Sequence, residues 1–151
     1  MNIRRMPAVL FCAALSLPLL AHAETAATEI KGAAILDHPC GKVAVKFMGL
    51  VHAGKMDEAT KLGNQAMQED WKEMEADDRK MMGEMMQGLS SSEAQFSADI
   101  KKVGILVIDG KSGTLTVKKE TKGKEGSGSR TQRQRYEIDG ATCRVAGKPR
   151  E

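Results

Sequence analysis

Methionines are the residues of this 151-residue sequence whose type and spacing could support chemistry most directly. Eight of the ten lie after residue 23, and Met81, Met82, Met85 and Met86 recur at helical spacing. Thioether sulfur is a soft ligand that selects copper(I). Methionine also fills irregular apolar space in a core and adapts to partners on a surface. Because only 3% of the residues are aromatic, we favour core packing and keep a partner surface and a copper(I) site as alternatives.

The first 23 residues have the layout of a cleaved signal peptide. Arg4 and Arg5 precede an apolar run over residues 8–20, and Ala21-His22-Ala23 ends in small residues. A membrane-spanning helix needs about 20 apolar residues, which is more than this run supplies. We therefore predict export to the periplasm with no stable membrane anchor.

Two cysteines, Cys40 and Cys143, follow this leader, while Cys12 lies inside it. Exported proteins meet an oxidising environment, and two cysteines permit a single pairing. A redox-active pair is the alternative, but the Cys-x-x-Cys spacing of such pairs is absent. The sequence predicts a structural Cys40–Cys143 disulfide that closes most of the domain.

Basic side chains concentrate in the second part of the sequence. Residues 24–100 carry eight basic and 14 acidic groups, whereas residues 101–151 carry 13 basic and six acidic groups. A positive surface could bind an acidic protein, a cell-wall polymer or anionic lipid, or it could be a solvated strand face. We expect no nucleic-acid partner, because stacking aromatics are missing except Tyr136 and an exported protein does not meet nucleic acid. The candidate partner-binding residues are Lys118, Lys119, Lys122, Lys124, Arg130, Arg133 and Arg135.

Catalytic motifs are missing from the sequence. We find no Ser-His-Asp set, no phosphate-binding glycine-rich loop and no zinc signature, so we predict no catalytic residue, no cofactor and no bound metal. His38 and His52 are expected at the start and the end of one helix. The candidate ligand-pocket residues are Trp71, Met81, Met85 and Tyr136.

Helical patterns fill the region before residue 90. One helix is predicted from Pro39, which suits the first helical position, to Gly54. A second is predicted from Asp57 through Met74, and a third, capped by Asp77 or Asp78, carries the methionines. From Phe96 onward the apolar period becomes two, which predicts strands. These strands cover 96–100, 103–108, 114–118, 131–138 and 141–145, with turns at 109–113 and 139–140 and a polar tip at 122–129.

Helices followed by antiparallel strands predict an α+β fold, with N-terminal helices packed on a curved antiparallel sheet. We divide the chain into a signal peptide (1–23), a flexible arm (24–36), one α+β domain (37–147) and a tail (148–151).

Arg133 and Arg135 alternate with Gln132, Gln134 and Tyr136, so the two sets point to opposite faces and one set is solvated.

Four short motifs resemble the nuclear transport factor 2-like superfamily, a cystatin-like cone, and within it small exported bacterial domains of unknown function. They are Pro39 with Val43–Phe47, His52–Ala59, Ile108–Val117 and Tyr136–Val145. The resemblance implies a cone-shaped scaffold and leaves dimerisation through the sheet open. Thr142 replaces a tryptophan common in related sequences, and no strand carries the histidine that serves enzymes of the superfamily.

These observations predict a non-enzymatic periplasmic binding protein. Within that class we favour an immunity or inhibitor protein that neutralises a toxin or hydrolase in the cell envelope. A periplasmic protein that binds a small molecule or copper, using the cone pocket and the methionine-rich helices, is the alternative.

Overall fold

Helices cover one face of a five-stranded antiparallel sheet that is curved and unclosed, so the predicted α+β class is confirmed. The computed structural model describes residues 26–123 and 126–147; the predicted signal peptide and tail lie outside them. The strands are β1 (Thr28–Lys31), β2 (Gly104–Asp109), β3 (Ser112–Gly123), β4 (Gly126–Asp139) and β5 (Thr142–Val145). The helices are α1 (Ala34–Asp37), α2 (Pro39–His52), α3 (Met56–Thr60), α4 (Gln65–Glu73), α5 (Ala76–Leu89) and α6 (Glu93–Val103).

The strands pair in chain order, and the six helices of the described residues lie between β1 and β2. β1 and α1 begin within the region predicted as a flexible arm (24–36), so that prediction is wrong for residues 28–36. Ile30 pairs with Leu106 in the sheet, and Ile35 is fully buried. The local sequence does not indicate a strand here, because β1 is stabilised by its pairing with β2, which lies more than 70 residues later in the chain.

α2 begins at Pro39, as predicted. The His38 Nδ1 atom accepts a hydrogen bond from the Cys40 N–H at 3.2 Å, which caps the helix. Ala44, Phe47 and Val51 are buried on one stripe. The helix ends at His52, and Gly54 follows with φ +71°, a conformation that favours glycine.

The single helix predicted from Asp57 through Met74 is wrong, because the chain forms α3 and α4 with a break between them. β5 causes the break: the Val145 N–H donates to the Leu62 carbonyl at 3.0 Å, and the Asn64 N–H donates to the Val145 carbonyl at 2.8 Å. The Asn64 side chain then caps α4 by accepting from the Met67 N–H. Tertiary pairing with a strand thus replaces one turn of helix.

The strand predicted over residues 96–100 is also wrong, since this segment lies in α6. Ser92 caps the helix by accepting from the Gln95 N–H at 3.3 Å. Phe96 and Ile100 are both buried, and a spacing of four fits one helical face as well as it fits a strand. Ala98, between them, is exposed, which a helix explains and a buried strand face does not.

The β2–β3 and β4–β5 turns lie where the sequence predicts them, with Gly110 at φ +55° and Gly140 at φ +57°. β3 continues to Gly123 and β4 starts at Gly126, so strand replaces most of the polar tip predicted at 122–129. Residues 124 and 125 lie outside the described chain.

The core lies between the sheet and the helices, and the predicted disulfide is part of it. Cys40 in α2 is bonded to Cys143 in β5, 103 residues later. The two residues are 0% and 5% exposed. Within the described residues, no helix has both the length and the apolar character needed to cross a bilayer.

Candidate functional site

The candidate partner-binding residues of the β3–β4 hairpin divide between two faces of the sheet. Lys118, Arg133 and Arg135 lie on the side away from the helices, whereas Lys119 and Arg130, which pair across the strands, lie on the helix side. The division follows from the alternation of side chains along a strand. The described basic residues thus lie on one hairpin but do not form one continuous patch. The side chains of Lys122 and Lys124 are outside those that the structure describes.

The side of the sheet away from the helices combines apolar and basic side chains; we call it the outer sheet face. Cross-strand neighbours share a face, so the register groups Ile105 with Thr116 and Arg133, and Val107 with Thr114 and Arg135. Ile105 and Val107 are half-buried, and both arginines are exposed. The outer sheet face includes Ile105, Val107, Thr114, Thr116, Lys118, Arg133 and Arg135, and by the same register also Glu29, Lys31 and Glu137.

Three cations of the outer sheet face have no ion-pair partner among the described residues, although Glu29 and Glu137 lie on the same face. Within the described chain, no carboxylate forms an ion pair with Lys118, Arg133 or Arg135, while nearby Lys31 is paired with Glu29 at 2.6 Å. Three cations beside two apolar side chains make a surface that attracts carboxylates. In the sequence, the apolar residues of this face are indicated by the nearly continuous apolar run over residues 103–108. Such a run is typical of a strand with apolar side chains on both faces.

Lys119 has a structural role on the helix side. Its Nζ lies 3.1 Å from Asp99 Oδ2, with the two side chains 23% and 19% exposed. The same ammonium donates to Ser91 Oγ and lies 6.0 Å from the centre of the Phe96 ring. These contacts connect β3 to α6 and satisfy the charge, so Lys119 is not part of a free basic surface.

The predicted ligand pocket of Trp71, Met81, Met85 and Tyr136 does not form. Trp71 lines a cleft of about 380 Å³ between α3, α4 and α5, and its Nε1 donates to Asp57 Oδ1 at 2.7 Å. That cleft's lining includes none of the other three residues. Tyr136 is 2% exposed in the core, and Met81 and Met85 face solvent. The packed side of α5 faces the cleft that contains Trp71. Met81 and Met85 lie on the exposed side of the same helix and therefore point away from Trp71.

The methionine face of α5 is exposed, which contradicts the favoured prediction of core packing for these residues. Met81, Met82 and Met85 are 65%, 36% and 52% exposed. α5 packs by the opposite side, where Met86 contacts the core and Gly83 lies against Met56. Helical period predicts one apolar face of Met81, Met82, Met85, Met86 and Leu89, but only Met86 packs against the core and the other four are exposed. Which side of the helix is buried depends on what covers it.

Tyr136 carries a buried hydroxyl without a hydrogen-bond partner, the one such side-chain atom found among the described residues. Burial raises the pKa of this phenol far above its usual value. It is also the one tyrosine in the sequence, so absorbance at 295 nm reports its ionisation alone.

We expect no phenolate absorbance from the folded protein above pH 10. The unfolded chain releases the phenolic proton near pH 10 and the folded chain retains it, so stability is lost above pH 10 by about 1.4 kcal/mol per pH unit. Tyr136→Phe should remove this slope and raise the free energy of unfolding at pH 7 by about 1 kcal/mol, because an unsatisfied buried hydroxyl is removed. Urea denaturation at pH 7 and at pH 10–11 measures both effects. Phenolate absorbance that rises near pH 10 while the fold persists would contradict the assignment.

The histidines of the described chain serve helix ends. His38 caps α2, and exposed His52 in the last turn of α2 lies 3.5 Å from Ser90 Oγ, whose hydroxyl donates to the Gln87 carbonyl. With its proton held there, Ser90 is not arranged as a nucleophile activated by His52. Across the described residues, no three His, Cys, Asp or Glu side chains converge in a way that could hold a metal ion.

Two exposed surfaces therefore stand out, the outer sheet face and the methionine face of α5. Comparison with known proteins assigns neither of them, since no protein family, no curated protein and no solved structure matches this chain.

Proposed function

We propose that this chain is a non-enzymatic binding protein of the bacterial envelope that holds a protein partner on its outer sheet face. The observation that supports the proposal is the uncovered row of Ile105 and Val107 beside unpaired Arg133 and Arg135. Protein interfaces place apolar side chains at their centre and are enriched in arginine. The outer sheet face has both features within one sheet.

The charges of this face indicate the chemistry of the partner. Guanidinium groups bind carboxylates through paired hydrogen bonds, and Arg133 and Arg135 are neighbours on one side of β4. Thr114 and Thr116 between them and the apolar row offer hydroxyl groups for further hydrogen bonds. A partner that fits presents Asp or Glu side chains next to a small apolar patch.

A periplasmic location is part of the same proposal. The leader predicted over residues 1–23 directs the chain to the periplasm, and the Cys40–Cys143 disulfide is compatible with that oxidising compartment. The nuclear transport factor 2-like resemblance contributes a scaffold with a helix layer and an open sheet face. Within the class of binding proteins we favour an immunity or inhibitor protein whose partner is an envelope toxin or hydrolase.

A photo-crosslinking amino acid at Thr116 tests the binding surface in living cells. We expect one dominant protein adduct, identified by mass spectrometry, because Thr116 lies between Ile105 and Arg133 in the register. The double charge reversal Arg133→Glu with Arg135→Glu should abolish the adduct. The matched control, Lys61→Glu with Lys72→Glu, changes the same charge at exposed positions, one in the turn after α3 and one in α4, and should retain the adduct. An adduct that survives the arginine reversals would contradict the proposed surface.

The captured partner then tests the inhibitor class. If the partner is a hydrolase or toxin, the purified protein at equal concentration should suppress its activity, and the arginine double variant should not. If mass spectrometry finds only a second copy of this chain in the adduct, the proposal is wrong. The outer sheet face is then a dimer interface.

A further inference from the structure

Exposed apolar side chains concentrate on α5. Of the five large apolar residues exposed in the described chain, four lie on this helix, and the fifth is Val103 in α6. A contiguous apolar stripe in water indicates a binding function more often than chance. The four residues are Met81, Met82, Met85 and Leu89, so three of the four carry a thioether sulfur.

Helical spacing allows the three thioethers to meet at one ion. Met85 follows Met81 by four residues and Met82 by three, and residues at these spacings have Cβ atoms about 5–6 Å apart on a helix. Helical side chains lean toward the N-terminus, so Met85 leans over the turn that carries the other two. Each side chain has three rotatable bonds. One ion can therefore contact three sulfurs without any change in the backbone.

We propose that Met81, Met82 and Met85 form a copper(I) site on the exposed side of α5. Thioether sulfur is a soft donor that selects copper(I) over zinc and over hard divalent cations. The thiols that would compete for this ion are absent from the described chain, because Cys40 and Cys143 are joined in the disulfide. Thioethers remain available as ligands in an oxidising compartment where thiols do not.

The surroundings of the site favour a cation. Asp78 is exposed and precedes Met82 by four residues, so its carboxylate is a neighbour of the three sulfurs on the helix surface. Arg79 lines the cleft that also contains Trp71, on the packed side of α5. Lys80, which directly precedes Met81, lines the same cleft, so both neighbouring basic residues lie toward the packed side of α5. This site does not depend on the outer sheet face.

Anaerobic titration of the purified, oxidised protein with copper(I) against the chromogenic chelator bicinchoninate tests the proposal. We expect one copper(I) per chain and a sulfur-only ligand shell in X-ray absorption spectra of the loaded protein. Replacing all three residues with leucine keeps an apolar, helix-forming face and removes the sulfurs. The affinity of Met81→Leu/Met82→Leu/Met85→Leu should fall by about 100-fold or more.

A second triple variant provides the matched control. Met56, Met67 and Met74 are half-buried, and their replacement with leucine should leave copper(I) affinity unchanged. Failure of the wild-type protein to compete with the chelator, or nitrogen and oxygen ligands in the absorption spectra, would overturn the proposal. So would undiminished affinity in the α5 variant. Because Arg133→Glu/Arg135→Glu should bind copper(I) normally, failure of the copper site and failure of the protein-binding surface can be told apart.

Discussion

Replacing Cys40 and Cys143 with alanine is expected to lower the free energy of unfolding by about 4–5 kcal/mol. The disulfide joins residues 103 positions apart, and constraining a loop of about 100 residues in the unfolded chain is worth about that much in the chain-entropy description. Both residues are buried, so the variant also loses packing where α2 meets β5. Total stability of a domain this size is typically 5–15 kcal/mol, which makes the loss a large fraction of it.

Urea denaturation of the oxidised wild type, the reduced wild type and the double alanine variant measures the effect. We expect the reduced wild type to resemble the variant, and we expect dithiothreitol to change nothing further in the variant. Trp71 fluorescence reports α4, so far-ultraviolet circular dichroism should be recorded in parallel for the sheet. A midpoint that is the same with and without the disulfide would contradict this account of the stability.

Gly41→Ala is expected to destabilise the fold by about 3 kcal/mol. Gly41 is buried in the first turn of α2, and a Cβ added there would lie 1.8 Å from the Ile35 carbonyl oxygen. That oxygen belongs to backbone, so α1 and α2 must separate. Overpacking a tight core contact costs about 1–3 kcal/mol and occasionally more, and a contact this short belongs at the upper end. The intrinsic helix preference of alanine, about 1 kcal/mol over glycine, offsets only part of the cost.

Gly88→Ala is the control for this substitution. Gly88 lies in α5, is exposed, and has no atom within 4 Å of an added Cβ. With no clash to oppose the helix preference, we expect this variant to gain about 0.5–1 kcal/mol. The same urea denaturation measures both variants. If Gly41→Ala is as stable as Gly88→Ala, α1 does not pack on α2 as described.

The elements that could be predicted are those whose signals are local. Pro39 and the apolar stripe after it mark α2, and Asp109-Gly110 and Asp139-Gly140 mark the two hairpin turns. The disulfide could be predicted because a single pairing is possible after the predicted leader. None of these features depends on knowing which distant segment packs against which.

The elements that were predicted incorrectly depend on distant partners. β1 forms because β2 offers an edge, and the break between α3 and α4 forms because β5 bonds to Leu62 and Asn64. The spacing of Phe96 and Ile100 fits a helix and a strand equally well. The cap by Ser92 and the packing of both side chains in the core favour the helix.

The sequence by itself determined the α+β class, the disulfide, the basic charge of the hairpin and the apolar face of α5. These properties follow from residue types, their spacing and a cysteine count. The tertiary structure alone decided that Lys119 and Arg130 lie on the helix side of the sheet and that Lys118, Arg133 and Arg135 lie on the other side. It also decided that the methionines face water. The physical reason is common to both: alternation and helical period define the faces of an element, but only the partners that pack against the element determine which face is buried.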